Sequence, residues 1–245
     1  MPMNIKKIVL LALLATFFVG YTSLTHAQLD SFLKNMKKSL GFDQELSTNK
    51  IVAGLKEALR IGTGNAVSTL SQPGGYLDNP KTRIPLPESV QKVDRLLRAA
   101  GFGPQLDEFD LSMNRAAEAA APEAKSIFWN AITGMTFEDA RKILQGQENE
   151  ATLYFKDRTS DRLKGVFKPI VHDSMARVGA TRSYQALEDK VSRIPFAGDM
   201  NLSLDDYVTD EALDGLFYML GQEEMKIRQN PSARVTDLLK EVFGK

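Results

Sequence analysis

Apolar side chains recur along this chain at three- and four-residue intervals, the period of a helix buried on one face. Leu29, Phe32, Leu33, Met36 and Leu40 form a first such face, with Lys34, Lys37 and Lys38 largely opposite. Ile51, Leu55, Leu59, Gly62, Ala66 and Leu70 predict a second helix whose small members permit close packing. A third carries Leu96 and Leu97, opened by Pro87-Glu88-Ser89 and closed by Gly101. Residues 106–133 predict a long alanine-rich helix, with Phe109, Met113, Ala116, Ala117, Ala120, Ala124, Ile127 and Ala131 in one stripe. Pro122 has no N–H for the carbonyl of Glu118, so a kink or break is expected there.

Thr136-Phe137-Glu138-Asp139 reads as a capping-box start, with Gly146 as the stop. Thr159 or Ser160 is expected to open the next helix, with Leu163, Phe167, Ile170, Ser174 and Val178 inward and Gly179 ending it. Another covers roughly 182–194 and stops before Pro195. Thr209 is expected to cap a helix with Leu213, Leu216, Phe217 and Leu220 inward. Asn230-Pro231 starts the last, with Val235, Leu238, Leu239, Val242 and Phe243 inward. No stretch alternates as a strand does. The prediction is an all-α fold, one domain over 28–245 of about eight to ten packed helices. A weak internal repeat is also legible: Thr48, Gly54, Leu55 and Leu59 match Thr209, Gly215, Leu216 and Leu220 at identical offsets. Two connections stand out, 195–208 and the proline- and glycine-rich 71–87, a length that marks functional or mobile loops.

The first 27 residues have the pattern of a secretory signal. Lys6 and Lys7 precede an uncharged run from Ile8 to Tyr21, and Thr25-His26-Ala27 puts small residues at −3 and −1 of a cut before Gln28. The run is shorter than the roughly 20 residues of a spanning helix. Exported, periplasmic residence is therefore expected. Losing Lys6 and Lys7 takes the 31 basic groups to 29 against 31 acidic, a net charge of −2. That balance offers no field for nucleic acid. The absence of cysteine excludes disulfides, thiolate nucleophiles and cysteine metal sites.

Catalytic motifs are mostly missing. Gly62-Thr63-Gly64 lacks a third glycine and sits in a helical pattern, so it is no phosphate loop. His172, the only histidine after residue 27, lies on the solvent side of its helix, with no metal-binding neighbour three or four residues away. It is the weak catalytic candidate. Asp199-x-Asn201-x-Ser203-x-Asp205, with Asp210 twelfth, imitates a calcium loop, but Leu204 stands where the turn glycine belongs. We expect no metal and no cofactor.

The candidate binding residues are Asn114, Arg115 and Glu118, followed by Trp129 and Asn130. Arg115 and Glu118 are spaced as an i,i+3 ion pair opposite the alanine stripe. If the helix runs on past Pro122, Trp129 falls on that same face. Such a face is either paired beneath a second layer, lines a cleft, or is solvated. The lysines of the first helix leave membrane-surface contact open without favouring it.

Four stretches are shared with a known family: Gly54-Leu55-Lys56-Glu57-Ala58-Leu59, Met113-Asn114-Arg115-Ala116-Ala117-Glu118, Thr152-Leu153-Tyr154-Phe155, and Leu238-Leu239-Lys240-Glu241-Val242-Phe243-Gly244. On these the chain resembles the exported Gram-negative proteins grouped as domain of unknown function 4197. The resemblance implies an envelope location and brings no functional residue with it. The expected function is non-enzymatic binding of an apolar small molecule or lipid, or of an envelope protein partner. The alternatives are a periplasmic hydrolase using carboxylates with His172, and an envelope scaffold.

Overall fold

The computed structural model describes residues 48–177, 184–185 and 203–229, all within one compact unit, Thr48–Lys245. The predicted signal, the helices over 29–40 and 231–243, and most of the predicted 182–194 helix lie outside these residues. Among the described residues there are seven α-helices and no strand. The all-α expectation holds; the count of eight to ten is not reached within them.

Helix α1, Thr48–Leu70, buries Leu55, Leu59, Ala66, Val67 and Leu70, the face the periodicity marks. Helix α2, Glu88–Leu97, buries Val90, Val93 and Leu97. A π-helical turn, Arg98–Phe102, ends it, and there Gly101 adopts φ +92°, a left-handed conformation that glycine takes at no steric cost. The long alanine-rich helix is divided as Pro122 requires. Helix α3 is Gly103–Ala120, a 3₁₀ turn covers Ala121–Glu123, and α4 is Ala124–Gly134. Helix α5, Phe137–Gln145, starts at the expected capping box: Thr136 Oγ1 accepts the Asp139 N–H at 3.1 Å, and Asp139 accepts the Thr136 N–H at 3.0 Å.

Helix α6 departs from the sequence reading. It runs unbroken from Glu150 to Arg177, and Thr159 lies inside it. The hydroxyl that reads as a cap instead donates to the Phe155 carbonyl at 2.6 Å, one turn back. The buried side chains are Ala151, Phe155, Thr159, Leu163, Phe167, Val171 and Met175, a strict four-residue spacing. Each such step gains about 40°, so the stripe swings through about 240° along the helix. Successive stretches of α6 therefore face different neighbours: α3, α4, α5 and α7 all pack on it. The drift also moves burial from the predicted Ile170 and Ser174, both half-exposed, to Val171 and Met175.

Helix α7 also starts earlier than predicted, spanning Leu204–Gln229. Ser203 caps it, with Oγ accepting the Asp206 N–H at 3.4 Å, and Asp205 and Asp206 place negative charge at its N-terminus. Thr209, expected as the cap, is buried in the second turn with no hydrogen-bond partner for its hydroxyl. A helical course from Leu204 onward also removes the calcium-loop geometry, and no three described carboxylate or imidazole groups could hold a metal ion. No helix among the described residues is long and apolar enough to cross a membrane.

The 71–87 connection is an ordered strap built into the core. Tyr76 and Ile84 are fully buried, each contributing roughly 1.5–3 kcal/mol of burial. The Tyr76 hydroxyl donates to the Ala212 carbonyl of α7 at 2.8 Å, and burial pushes that phenol well above its ordinary pKa, with the Glu118 charge adding to the effect. Gly215 on α7 leaves the room for this ring; a Cβ there would come within 2.9 Å of Tyr76 Cε1.

Candidate functional site

The polar residues singled out on α3 form the seat of the strap. Asp110, Asn114 and Glu118 stand at four-residue spacing on one ridge, and each holds a piece of it. Asp110 pairs with Arg83. Asn114 is fully buried; its Oδ1 accepts the Ile84 N–H at 2.9 Å and its Nδ2 donates to the Ile84 carbonyl at 3.0 Å, as a neighbouring strand would. Glu118 Oε1 accepts the N–H groups of Gly74 at 2.9 Å and Tyr76 at 3.3 Å, while Arg115 Nη1 donates to Oε2 at 2.5 Å. From the other side, the Tyr207 hydroxyl of α7 donates to the Pro85 carbonyl at 3.0 Å. The alanine stripe of α3 is thus covered by the helices and the ridge of Asp110, Asn114 and Glu118 by the strap, while Glu108, Leu111 and Arg115 stay exposed.

Arg115 remains 45% exposed and stands at the edge of an open groove of about 430 Å³ between α3 and the end of α6. Leu111, Ala116, Ser112, Glu108, Ser174 and Arg177 complete its lining.

Trp129 and Asn130 are placed elsewhere. Trp129 lies 15 residues beyond Asn114, on the separate helix α4 past the 3₁₀ turn at Pro122. Asn130 is exposed. Trp129 stacks against cations: Arg60 of α1 lies 4.4 Å from its ring centre and Lys125 of α4 lies 5.1 Å from it.

His172 is on the solvent side as predicted, and its Nδ1 meets Asp205 at 2.8 Å. This hydrogen-bonded pair is the end rung of a ladder of polar contacts between α6 and α7. The other rungs are Lys168–Asp206 at 2.7 Å, Lys164–Asp210 at 2.7 Å and Lys156–Asp214 at 3.6 Å. The hydrogen bond from Lys168, then that from Ser203, holds the Asp206 carboxyl below its ordinary pKa, and the Asp210 hydrogen bond raises that of Lys164. His172 so placed aligns two antiparallel helices.

The other buried acids are also engaged. Glu224 accepts the N–H groups of Ala151 at 3.0 Å and Thr152 at 2.9 Å, capping α6 from α7, and Arg228 holds it from behind at 2.9 Å. Glu223 accepts from Asn65 of α1 at 2.9 Å and Lys226 at 2.6 Å.

Sequence reasoning passed over a second groove, about 690 Å³, where the start of α6 meets the outer face of α7. Phe217, Tyr218, Gly221 and Met225 line it from α7 and Thr152 from α6, with Gln147, Glu148, Asn149 and Gln222 as its polar members. Tyr218 and Met225 are each 37% exposed. Their seven-residue spacing, with Gly221 between, was the available signal; the inward face of the same helix masks it.

The fold and these sites define an all-helical domain whose buried carboxylates organise backbone and whose open grooves lie on its surface. A family described as "Protein of unknown function (DUF4197)" matches residues 45–244, and the chain belongs to that family. No curated protein and no solved structure matches it.

Proposed function

We propose that this is a non-enzymatic protein of the Gram-negative envelope, exported to the periplasm, that binds a partner protein through the α6–α7 groove. The observation that carries the reading is the exposed pairing of Tyr218 and Met225 two turns apart over a dip at Gly221. Such a face accepts an amphipathic helix, which lays residues spaced i, i+3 or i+4, and i+7 into a groove. Tyrosine and methionine are side chains that interfaces favour. Employment of Glu118, Glu223, Glu224 and His172 in packing supports a binding role over carboxylate hydrolysis. The signal pattern of residues 1–27 supports export. A photocrosslinking residue at Tyr218, introduced in the native host, is expected to trap a discrete protein adduct. The same residue at exposed Ala176 on α6 is expected to trap none. No adduct at position 218, or equal trapping at both, refutes the reading.

A second reading rests on Arg177. Among the described residues its guanidinium bonds groups of its own helix, the Asp173 carbonyl and the Ser174 hydroxyl, and it stands with Arg115 over apolar Leu111 and Ala116. That groove suits an amphiphilic anion. Native mass spectrometry of protein from its own host would then show an added mass that denaturation removes and Arg177→Ala abolishes.

A further inference from the structure

Trp129, the chain's only tryptophan, stands where three cations gather without an acid. Lys56 and Arg60 lie four residues apart on α1, Lys125 and Trp129 four apart on α4, and the two helices pack together. Arg60 and Lys125 flank the indole, and Lys56 Nζ donates to the Thr133 carbonyl at 3.2 Å, near the end of α4. Most other described cations are in ion pairs, among them Arg83, Arg98, Arg115, Lys164, Lys168 and Arg228. Lys56, Arg60 and Lys125 are in none of those described. Glu57 and Glu123, the acids nearest along the two helices, do not reach ion-pair distance. The remaining described cations without an acid partner, Lys81, Arg95, Arg162 and Arg177, are spread over the strap, α2 and α6.

We propose that this face of α1 and α4 docks on an anionic phospholipid surface, with the Trp129 ring at headgroup depth and Lys56, Arg60 and Lys125 against the phosphates. Tryptophan has an apolar body and one N–H, the combination that settles at a membrane interface. Clustered lysine and arginine are drawn to anionic headgroups by about a fivefold gain in partitioning per charge. A protein partner fits less well. Lysine is depleted at protein interfaces, and Trp129 is the only large exposed apolar side chain among the described residues of α1 and α4, too little for a dry interface centre. The surface is separate from the α6–α7 groove, and its test does not depend on that reading.

Because Trp129 is the sole tryptophan, its emission reports on the site directly. The full chain is titrated with vesicles of mixed phosphatidylglycerol and phosphatidylcholine, and with vesicles of phosphatidylcholine alone. Expected are a blue shift and co-sedimentation with the anionic vesicles, both reversed by high salt, and neither with the neutral ones. Contact through the N-terminal run and its lysines, Lys6, Lys7, Lys34, Lys37 and Lys38, would be common to every variant, so the differences between variants, read at Trp129, isolate the patch. Arg60→Gln with Lys125→Gln is expected to lower apparent lipid affinity about 25-fold, and Arg95→Gln on α2 by less than about twofold. The proposal is overturned if anionic vesicles leave the emission unchanged, or if Arg95→Gln matches the double variant. It is also overturned if millimolar inorganic phosphate reproduces the shift, which makes the site one for a small free anion. Polyglutamate binding as tightly as the vesicles overturns it in favour of an acidic polypeptide. The emission of Trp129 under the salt and lipid arms needs no variant and reports on the patch itself, so it decides the matter even if the substitutions disturb folding.

Discussion

Removing the Glu118 carboxylate tests whether the α3 ridge is a seat for the strap or a solvated face. Glu118→Ala leaves the buried Tyr76 N–H and the half-buried Gly74 N–H without an acceptor, and Arg115 without its partner. A buried donor left unpaired costs about 1–3 kcal/mol, and a half-buried one less, so the expected loss is about 2–4 kcal/mol. The Arg115 pair adds little, because that guanidinium is 45% exposed. Glu118→Gln keeps an oxygen for both N–H groups but trades a charged acceptor for a neutral one; about 1 kcal/mol is expected. Urea unfolding at neutral pH measures both, with hydrogen exchange at residues 74–84 locating the change. Asn114 holds the far end of the same strap at Ile84. If the strap detaches as a unit, Glu118→Ala and Asn114→Ala together cost less than the sum of their separate effects. A loss below about 0.5 kcal/mol for Glu118→Ala, a value typical of surface substitutions, would sink the account.

Two glycines should respond oppositely to alanine. Gly165 on α6 faces open space, so Gly165→Ala should stabilise by up to about 1 kcal/mol through helix propensity. At Gly215 the same gain is outweighed, because the new methyl meets the rigid, buried Tyr76 ring at 2.9 Å and the Thr82 carbonyl at 3.2 Å; thermal melts should show a net loss of about 1–2 kcal/mol. Thr209→Val removes a buried hydroxyl that has no partner and should raise the midpoint of urea unfolding, whereas a lower midpoint would indicate a hydrogen bond formed in solution. Hydrogen bonds from Thr136, backbone then side chain, depress the Asp139 pKa, so this carboxylate stabilises the fold above the ordinary aspartate range and the contribution disappears as pH falls through the lowered folded value. Thr136→Ala should cost about 1 kcal/mol at neutral pH, and the gap from the parent should close on acidification. Glu224→Ala strips the cap from α6 and leaves Arg228 without its carboxylate, for about 3 kcal/mol in the same assay; a loss under 1 kcal/mol would mean water replaces it.

What the sequence determines by itself here is local. The helical period of α1, the alanine stripe of α3 and α4, the break at Pro122, the Thr136 capping box and the Gly101 stop all depend on residues within a few positions of each other, where sterics and hydrogen bonding act along the chain. Errors fell where a local signal has two meanings. Thr159 and Thr209 can cap a helix or sit within one, and only the packing of α6 and α7 over their hydroxyls decides which. The Arg115–Glu118 pair was legible from its spacing, but its partners Gly74 and Tyr76 lie 44 and 42 residues from Glu118, and no periodicity encodes them. Trp129 and His172 likewise took their meaning from Arg60 on α1 and Asp205 on α7. Tertiary structure alone settled which polar residues are covered, because the cost of burying a charge is met or not by whichever distant segment comes to lie against it.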